Sequence, residues 1–135
     1  MNKVNSSLSY HIADYVEGMG GWSHIATVRP YNWSLDINKS SDLMKNMFKY
    51  KSIRKLFWVL EKDTSRKNHL HLLIDYVNPD TDLKALKGDL NKMMGYPKKS
   101  SLVQHVDIVQ EDKVKGAINY ACKYINTNSA YGFEV

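Results

Sequence analysis

The chain has 135 residues, enough for one domain with a single sizeable core. Its composition, 43% hydrophobic and 24% charged, is typical of a globular protein and excludes a low-complexity chain. The formal net charge of +5, from 19 basic and 14 acidic residues, favours a polyanionic partner without establishing one.

The sequence also indicates a compartment. No apolar run approaches the roughly eighteen residues that span a membrane, and residues 1–10 are polar and lack the apolar centre of a signal peptide. The single cysteine, Cys122, excludes an internal disulfide and a zinc site built from cysteines. We therefore expect an intracellular protein with no membrane partner.

Hydrophobic periodicity predicts a domain at 22–135, preceded by an N-terminal extension at 1–21 with a helical segment at 8–16. In chain order, the domain has a strand at 22–29, a helix at 42–50, strands at 56–61 and 69–76, a helix from Asp80 or Asp82 to 93, a strand at 102–109 and a helix at 111–125. This β-α-β-β-α-β-α order is that of split βαβ, or ferredoxin-like, folds of the α+β class. We expect an antiparallel sheet with the helices on one face and a site on the other, open face.

The strand predicted at 69–76 carries the first chemical signal, the sequence His69-Leu70-His71. Side chains alternate along a strand, so both histidines project from the same face, roughly 7 Å apart along the backbone. Two imidazoles in this arrangement can hold one metal ion or one phosphate. Two solvated histidines on an exposed sheet face are the alternative, which this motif alone does not exclude.

Glu61 favours the metal site. If residues 62–68 connect two strands as a hairpin, Glu61 lies opposite His69 and Val59 lies opposite His71. Directly opposed residues share a face of the sheet, with Cβ atoms about 5 Å apart. A carboxylate and two imidazoles suit manganese or another divalent transition metal better than calcium, and magnesium is accommodated with bound waters. Taken alone, Glu61 is equally consistent with an ordinary surface glutamate.

The last predicted helix carries two tyrosines away from its apolar stripe, which consists of Val114, Ile118, Ala121 and Ile125. Tyr120 and Tyr124 lie one turn apart on a common flank, with Lys123 beside them. A tyrosine needs help to act as a nucleophile at neutral pH, because its reference pKa is about 10. A neighbouring ammonium favours the tyrosinate or neutralises a phosphate under attack. Packing tyrosines are the alternative, which their position off the stripe disfavours.

Together these motifs resemble those of the HUH endonucleases, in particular the rolling-circle replication initiators of small viruses, phages and plasmids. The sequence from His69 to Ile74 is similar to the family's histidine-hydrophobe-histidine motif, and Glu61 is similar to the acidic third ligand of many relatives. The sequence from Tyr120 to Ile125 resembles the Tyr-x-x-Lys motif with a second tyrosine, and residues 25–30 resemble a looser first-strand motif. The resemblance covers about residues 22–125 and implies the HUH endonuclease fold.

The resemblance implies a metal-dependent endonuclease and strand transferase that acts on single-stranded DNA. A divalent ion, Mn2+ or Mg2+, held by Glu61 and the two histidines, polarises the scissile phosphate. Tyr120 attacks, which leaves a 5′-phosphotyrosine and a free 3′-hydroxyl that primes replication at an origin. Tyr124 occupies the place of the second nucleophile found in two-tyrosine relatives, and Lys123 is the assisting cation.

The expected partners are single-stranded DNA and a host helicase or polymerase. Many viral relatives carry a helicase domain with a Gly-x-x-x-x-Gly-Lys-Ser/Thr loop, and this sequence has no such loop. The chain is therefore either a nuclease domain or a stand-alone initiator that uses a host helicase. We expect a monomer or homodimer in the host cytoplasm, or in the nucleus of a eukaryotic host.

Two alternatives remain at this point: a transposase or relaxase of the same superfamily, and a non-catalytic module that binds single-stranded nucleic acid. Relaxases usually carry three clustered histidines and a tyrosine near the N-terminus, a pattern that this sequence lacks. Binding modules stack bases on aromatic residues of central strands, whereas Trp58 is expected to face the helices. His24 and His105 are candidates for further ligands, but we interpret them as structural or solvent-facing residues.

Overall fold

The structure, a computed structural model, describes residues 3–62, 68–123, 125 and 130–135. The elements of this part of the chain are α1 (Lys3–Met19), β1 (His24–Val28), α2 (Ile37–Tyr50), β2 (Ile53–Glu61), β3 (His69–Tyr76), α3 (Leu83–Met93), β4 (His105–Ile108), α4 (Val114–Cys122) and β5 (Ala130–Glu134). A 3-10 turn, Glu111–Lys113, leads into α4. None of the helices in these ranges is long and apolar enough to cross a membrane.

The strands form one five-stranded sheet in the order β4-β1-β3-β2-β5, and every neighbouring pair is antiparallel. The order of the first four strands is compatible with a ferredoxin-like fold, and the predicted α+β class with an antiparallel sheet is confirmed. The register of the β2–β3 hairpin is also as predicted, because Glu61 pairs with His69 and Val59 pairs with His71.

Helices cover both faces of the sheet, so the expectation of helices on one face and an open second face is wrong. One core lies between the sheet and the helices α2 and α3, and the side chains of Leu56, Trp58 and Leu60 belong to it. A second core on the opposite face joins Phe57 and Val59 of β2 to α1 and α4. The centre of β2 is apolar at every position because it is buried on both faces.

The bounds of several elements differ from the predictions: α2 begins at Ile37 rather than at residue 42, and β2 begins at Ile53 rather than at residue 56. Helix α1 extends over Lys3–Met19, well beyond the predicted 8–16, and packs beside α4. Helix α4 ends at Cys122, so the predicted continuous helix at 111–125 is wrong, and β4 is shorter than the predicted 102–109.

Strand β5 was not predicted and pairs with the outer edge of β2. Its Gly132 is the register partner of Trp58. A Cβ at this position would lie 2.6 Å from Cζ2 of the Trp58 indole. Glycine is thus required at Gly132 for the Trp58 ring to keep its place in the core.

Candidate metal centre

Strands β2 and β3 bring three potential metal ligands to one end of their hairpin. Glu61 is the last residue of β2 and the register partner of His69, the first residue of β3. His71 follows two residues later, so both imidazoles lie on the face that α1 and α4 cover. The structure therefore brings together the three residues that the sequence predicts as metal ligands.

A single carboxylate oxygen lies between the two imidazoles. Oε1 of Glu61 is 2.7 Å from Nε2 of His69 and 2.7 Å from Nε2 of His71. The three ligand atoms all lie within 4.8 Å of one another, and this is the group of His, Cys, Asp and Glu side chains in the described ranges that could hold a metal ion. Two imidazole nitrogens and one carboxylate oxygen fit a divalent transition ion such as Mn2+.

Both histidines are buried rather than exposed, with 3% of His69 and 2% of His71 accessible to solvent. Burial lowers the pKa of His71; the hydrogen bond to Glu61 opposes this effect, and the nearby charges of His69 and Arg29 add to it. His71 is therefore neutral at pH 7, which is the form of imidazole that binds a metal ion. The expectation of histidines on an open sheet face is wrong, but their burial favours ligation.

Each imidazole is contacted at Nδ1, the nitrogen that faces away from Glu61, by a residue in β1 or directly after it. Nη1 of Arg29 lies 3.0 Å from Nδ1 of His69, and Oγ1 of Thr27 lies 3.4 Å from Nδ1 of His71. The backbone of Arg29 is held by the buried side chain of Gln104, which accepts from Arg29 N at 2.8 Å and donates to Arg29 O at 3.1 Å. These contacts hold the two imidazoles in the orientation that the structure shows.

Sequence reasoning missed Arg29, Thr27 and Gln104 as parts of the site. A signal for Thr27 and Arg29 existed in the alternation of β1, because Thr27 is the register partner of His71. Once β1 is placed beside β3, that alternation predicts both side chains on the histidine face. Gln104 precedes β4 and gives no local signal, since its role depends on a contact between distant parts of the chain.

Tyr120 lies beside the ligand group. Its ring centroid is 5.5 Å from that of His71, with the two rings nearly perpendicular at 88°. In α4 the neighbouring Ile118 and Ala121 are buried in the core, whereas 48% of Tyr120 is exposed. The predicted position of Tyr120 off the apolar stripe is confirmed. Tyr120 and Arg29 both line a cleft of about 350 Å³.

Two further residues were predicted for the site, Tyr124 and Lys123. Tyr124 lies outside the described residues. Lys123 is exposed directly after α4, and its backbone N–H donates to Tyr120 O at 3.3 Å. The assisting role of Lys123 and the second-nucleophile role of Tyr124 stay predictions.

The two other histidines considered as ligands lie apart from this group. His24 is fully buried, with Nδ1 2.9 Å from Ser23 Oγ and its ring against Tyr76. His105 is exposed and lines the same cleft as Tyr120. The interpretation of His24 as structural and His105 as solvent-facing agrees with these positions.

Comparison with known proteins adds no relative: no family, no curated protein and no solved structure matches the chain. The function of the chain must therefore be inferred from the residues of the site.

Proposed function

We propose that this chain is a metal-dependent endonuclease and strand transferase of the HUH type, acting on single-stranded DNA. The observation that carries the proposal is the half-exposed ring of Tyr120, 5.5 Å from the ring of His71 in the Glu61–His69–His71 group. A nucleophile beside a metal-ligand group is the combination that phosphoryl transfer to a side chain requires. The five-stranded antiparallel sheet supports an assignment to the HUH fold.

The residues of the site have separate parts in the proposed reaction. Glu61, His69 and His71 would hold Mn2+ or Mg2+, which would supply Lewis-acid polarisation of the scissile phosphate. Oη of Tyr120 attacks the phosphorus and loses its proton, the bond from phosphorus to the 3′ oxygen breaks, and that oxygen leaves as a 3′-hydroxyl. The 5′ end of the DNA stays on Tyr120 as a phosphotyrosine. Attack by another 3′-hydroxyl reverses the step and joins two strands.

The biological role we propose is initiation of rolling-circle replication, with an origin strand as substrate. The net charge of +5 favours binding to a polyanion. An intracellular location, a host helicase or polymerase as partner, and a monomer or homodimer belong to the same proposal. A transposase or relaxase would use the same chemistry on a different DNA end, so the sequence of the preferred nick site separates these roles.

A non-catalytic nucleic-acid-binding module is the weaker alternative. Such modules present aromatic rings on the open face of a sheet for base stacking. Here Trp58 of the central hairpin is 3% exposed and belongs to the core that α2 and α3 cover. On the opposite face of the sheet, which carries the metal-ligand group, the aromatic ring of Phe57 in β2 is fully buried as well.

The experiment that tests the proposal is the trapping of a covalent intermediate. The protein is incubated with Mn2+ and a pool of single-stranded oligonucleotides of random sequence labelled at the 3′ end, the end that stays with the protein after cleavage, and the products are separated under denaturing conditions. We expect a labelled protein–DNA adduct that disappears with EDTA and with His71→Gln. His11→Gln, a change of the same type at an exposed position of α1, should retain the adduct. The absence of any adduct with Mn2+ would contradict the proposal.

A further inference from the structure

Arg29 makes a contact that a metal-bound His69 cannot keep. Nη1 of Arg29 lies 3.0 Å from Nδ1 of His69, and a guanidinium has donors but no acceptor. Nδ1 of His69 must therefore accept this hydrogen bond. The proton of a neutral His69 ring then resides on Nε2, which lies 2.7 Å from Oε1 of Glu61.

Metal binding through Nε2 reverses these roles. A neutral imidazole that binds an ion through Nε2 carries its proton on Nδ1 and donates it to an acceptor. In His69 that proton would meet the N–H group of Arg29, so two donors would face each other. The hydrogen bond between Arg29 and His69 must break when an ion is bound by the ligand group.

The side chain of Arg29, rather than its backbone, is the part that can change partner. Gln104 holds both polar groups of the Arg29 backbone, at 2.8 Å and 3.1 Å. Arg29 lines the cleft of about 350 Å³ that Tyr120 also lines. A phosphate within reach of Tyr120 would lie in this cleft, where the released guanidinium could meet it.

We propose that Arg29 alternates between two partners, His69 in the metal-free protein and a DNA phosphate beside the scissile bond in the metal-bound protein. This inference rests on the proposed function of the same site. A guanidinium binds phosphate through paired, charge-assisted hydrogen bonds. DNA thus draws Arg29 away from His69, and metal binding makes Arg29 available to DNA. Metal and DNA therefore increase each other's affinity by the same factor.

The test measures binding instead of cleavage, in a Tyr120→Phe background that cannot form the covalent bond. The affinity for a fluorescently labelled, mixed-sequence single-stranded oligonucleotide is measured by anisotropy with and without Mn2+, and the ratio is the coupling factor. Arg29→Met keeps the aliphatic stem and removes every donor. We expect this change to lower the coupling factor by about tenfold, which is what one charge-assisted hydrogen bond is worth. An unchanged coupling factor would overturn the inference, since Arg29 would then bind DNA equally in both states.

Lys62→Met is the matched control for charge. Lys62 is exposed next to Glu61, so its replacement removes the same charge near the ligands without touching Nδ1 of His69. We expect Lys62→Met to preserve the coupling factor. If the coupling factor fell equally in Lys62→Met and Arg29→Met, the effect of Arg29 would be due to its charge alone, and the inference would be overturned.

Nitrogen NMR of the His69 ring provides an independent measurement. The ring proton should reside on Nε2 in the metal-free protein and on Nδ1 after Zn2+ is added. A proton on Nδ1 in the metal-free protein would overturn the inference.

Failure of the inference can be told apart from failure of the proposed function. An Mn2+-dependent adduct together with a coupling factor that does not depend on Arg29 overturns the inference alone. Coupled binding of Mn2+ and DNA that depends on Arg29, without any adduct in the unmodified protein, overturns the nuclease and leaves the role of Arg29 standing. A protein that does not bind Mn2+ overturns both.

Discussion

The ring of Tyr120 stands nearly perpendicular to the ring of His71, with centroids 5.5 Å apart and an interplanar angle of 88°. This contact joins helix α4 to strand β3 at the ligand group, although about half of the tyrosine remains exposed. The hydroxyl-bearing ring is thus held by a residue that also offers a metal ligand. A change at His71 is therefore expected to affect metal binding, whereas a change at the Tyr120 hydroxyl is expected to affect only formation of the covalent adduct.

His71→Gln should weaken Mn2+ binding by more than about tenfold, because it removes one of three ligands. Glutamine is preferred to alanine here, since His71 is 2% exposed and a truncation would leave a cavity. Titration calorimetry measures the affinity, and circular dichroism verifies the fold. Equal Mn2+ affinity in His71→Gln and the unmodified protein would exclude the Glu61–His69–His71 group as the metal site.

Bound metal should also stabilise the folded chain. An ion that binds only the folded state adds about 2.7 kcal/mol at a concentration of 100 times its Kd. We therefore expect Mn2+ to raise the thermal midpoint, EDTA to reverse the rise, and Glu61→Gln to diminish it, because Glu61 supplies the negatively charged ligand. A midpoint that responds to Mn2+ identically with and without the Glu61 carboxylate would place the ion elsewhere.

The pH dependence of stability should reflect His24. Burial lowers the pKa of His24 below its ordinary value of 6.5, with Asp107 partly opposing the shift. As the pH falls below about 6.5, the unfolded chain takes up a proton that the folded chain does not, so the free energy of unfolding decreases. This stability is fully present above about pH 6.5 and is lost toward the lower pKa of the folded state.

His24→Gln should therefore flatten the pH profile by at most about 1.4 kcal/mol per pH unit. The slope is informative even if the substitution itself destabilises the fold. Urea unfolding of both proteins at a series of pH values measures it. The unmodified protein and His24→Gln remain sensitive to pH through His71, whose pKa burial also lowers. Parallel profiles for the two proteins would contradict the role assigned to His24.

Gly132→Ala should destabilise the fold by about 1–3 kcal/mol, the usual cost of overpacking a core. The added Cβ would lie 2.6 Å from the ring of Trp58, which is 3% exposed. Gly88→Ala is the matched control, because a Cβ there meets nothing within 4 Å. In helix α3 that change should instead stabilise by up to about 1 kcal/mol. Chemical denaturation measures both, and equal effects would mean that Trp58 yields to the added methyl group.

The metal-ligand group could be predicted from the sequence because its geometry is local. Strand alternation puts His69 and His71 on one face, and a short hairpin connection sets Glu61 opposite His69. Each of these steps depends on residues close together in the chain. The same is true of Tyr120, which helical periodicity separates from the buried Ile118 and Ala121.

The coverage of the sheet differs from the prediction, because the open face follows from the ferredoxin-like order of elements and not from the sequence of each strand. The uninterrupted apolar run Leu56–Leu60 in β2 was the contrary signal, since a strand buried on both faces reads as continuous rather than alternating. The two hydrogen bonds between the side chain of Gln104 and the backbone of Arg29 could not be predicted in this way. They depend on where the end of β1 meets the segment before β4.

The last prediction concerns the identity of the nucleophile. Tyr120→Phe preserves the ring that packs against His71 and removes only the hydroxyl, so lost activity cannot be attributed to a cavity. We expect this variant to form no covalent adduct on a substrate with one nick site, while Mn2+ and DNA binding persist. Tyr50→Phe, the same change at an exposed residue of α2 on the other side of the sheet, should form the adduct normally.

Tyr124→Phe should still form the adduct on that substrate and fail only where a second transfer is needed, because the resemblance assigns the first attack to the tyrosine three residues before Lys123. Mass spectrometry of the digested adduct locates the attached nucleotide. A nucleotide on Tyr124 would reverse the ranking of the two tyrosines and leave the class of enzyme intact. A nucleotide on neither residue would refute attack by Tyr120 or Tyr124, since the metal-ligand group would then serve a different nucleophile.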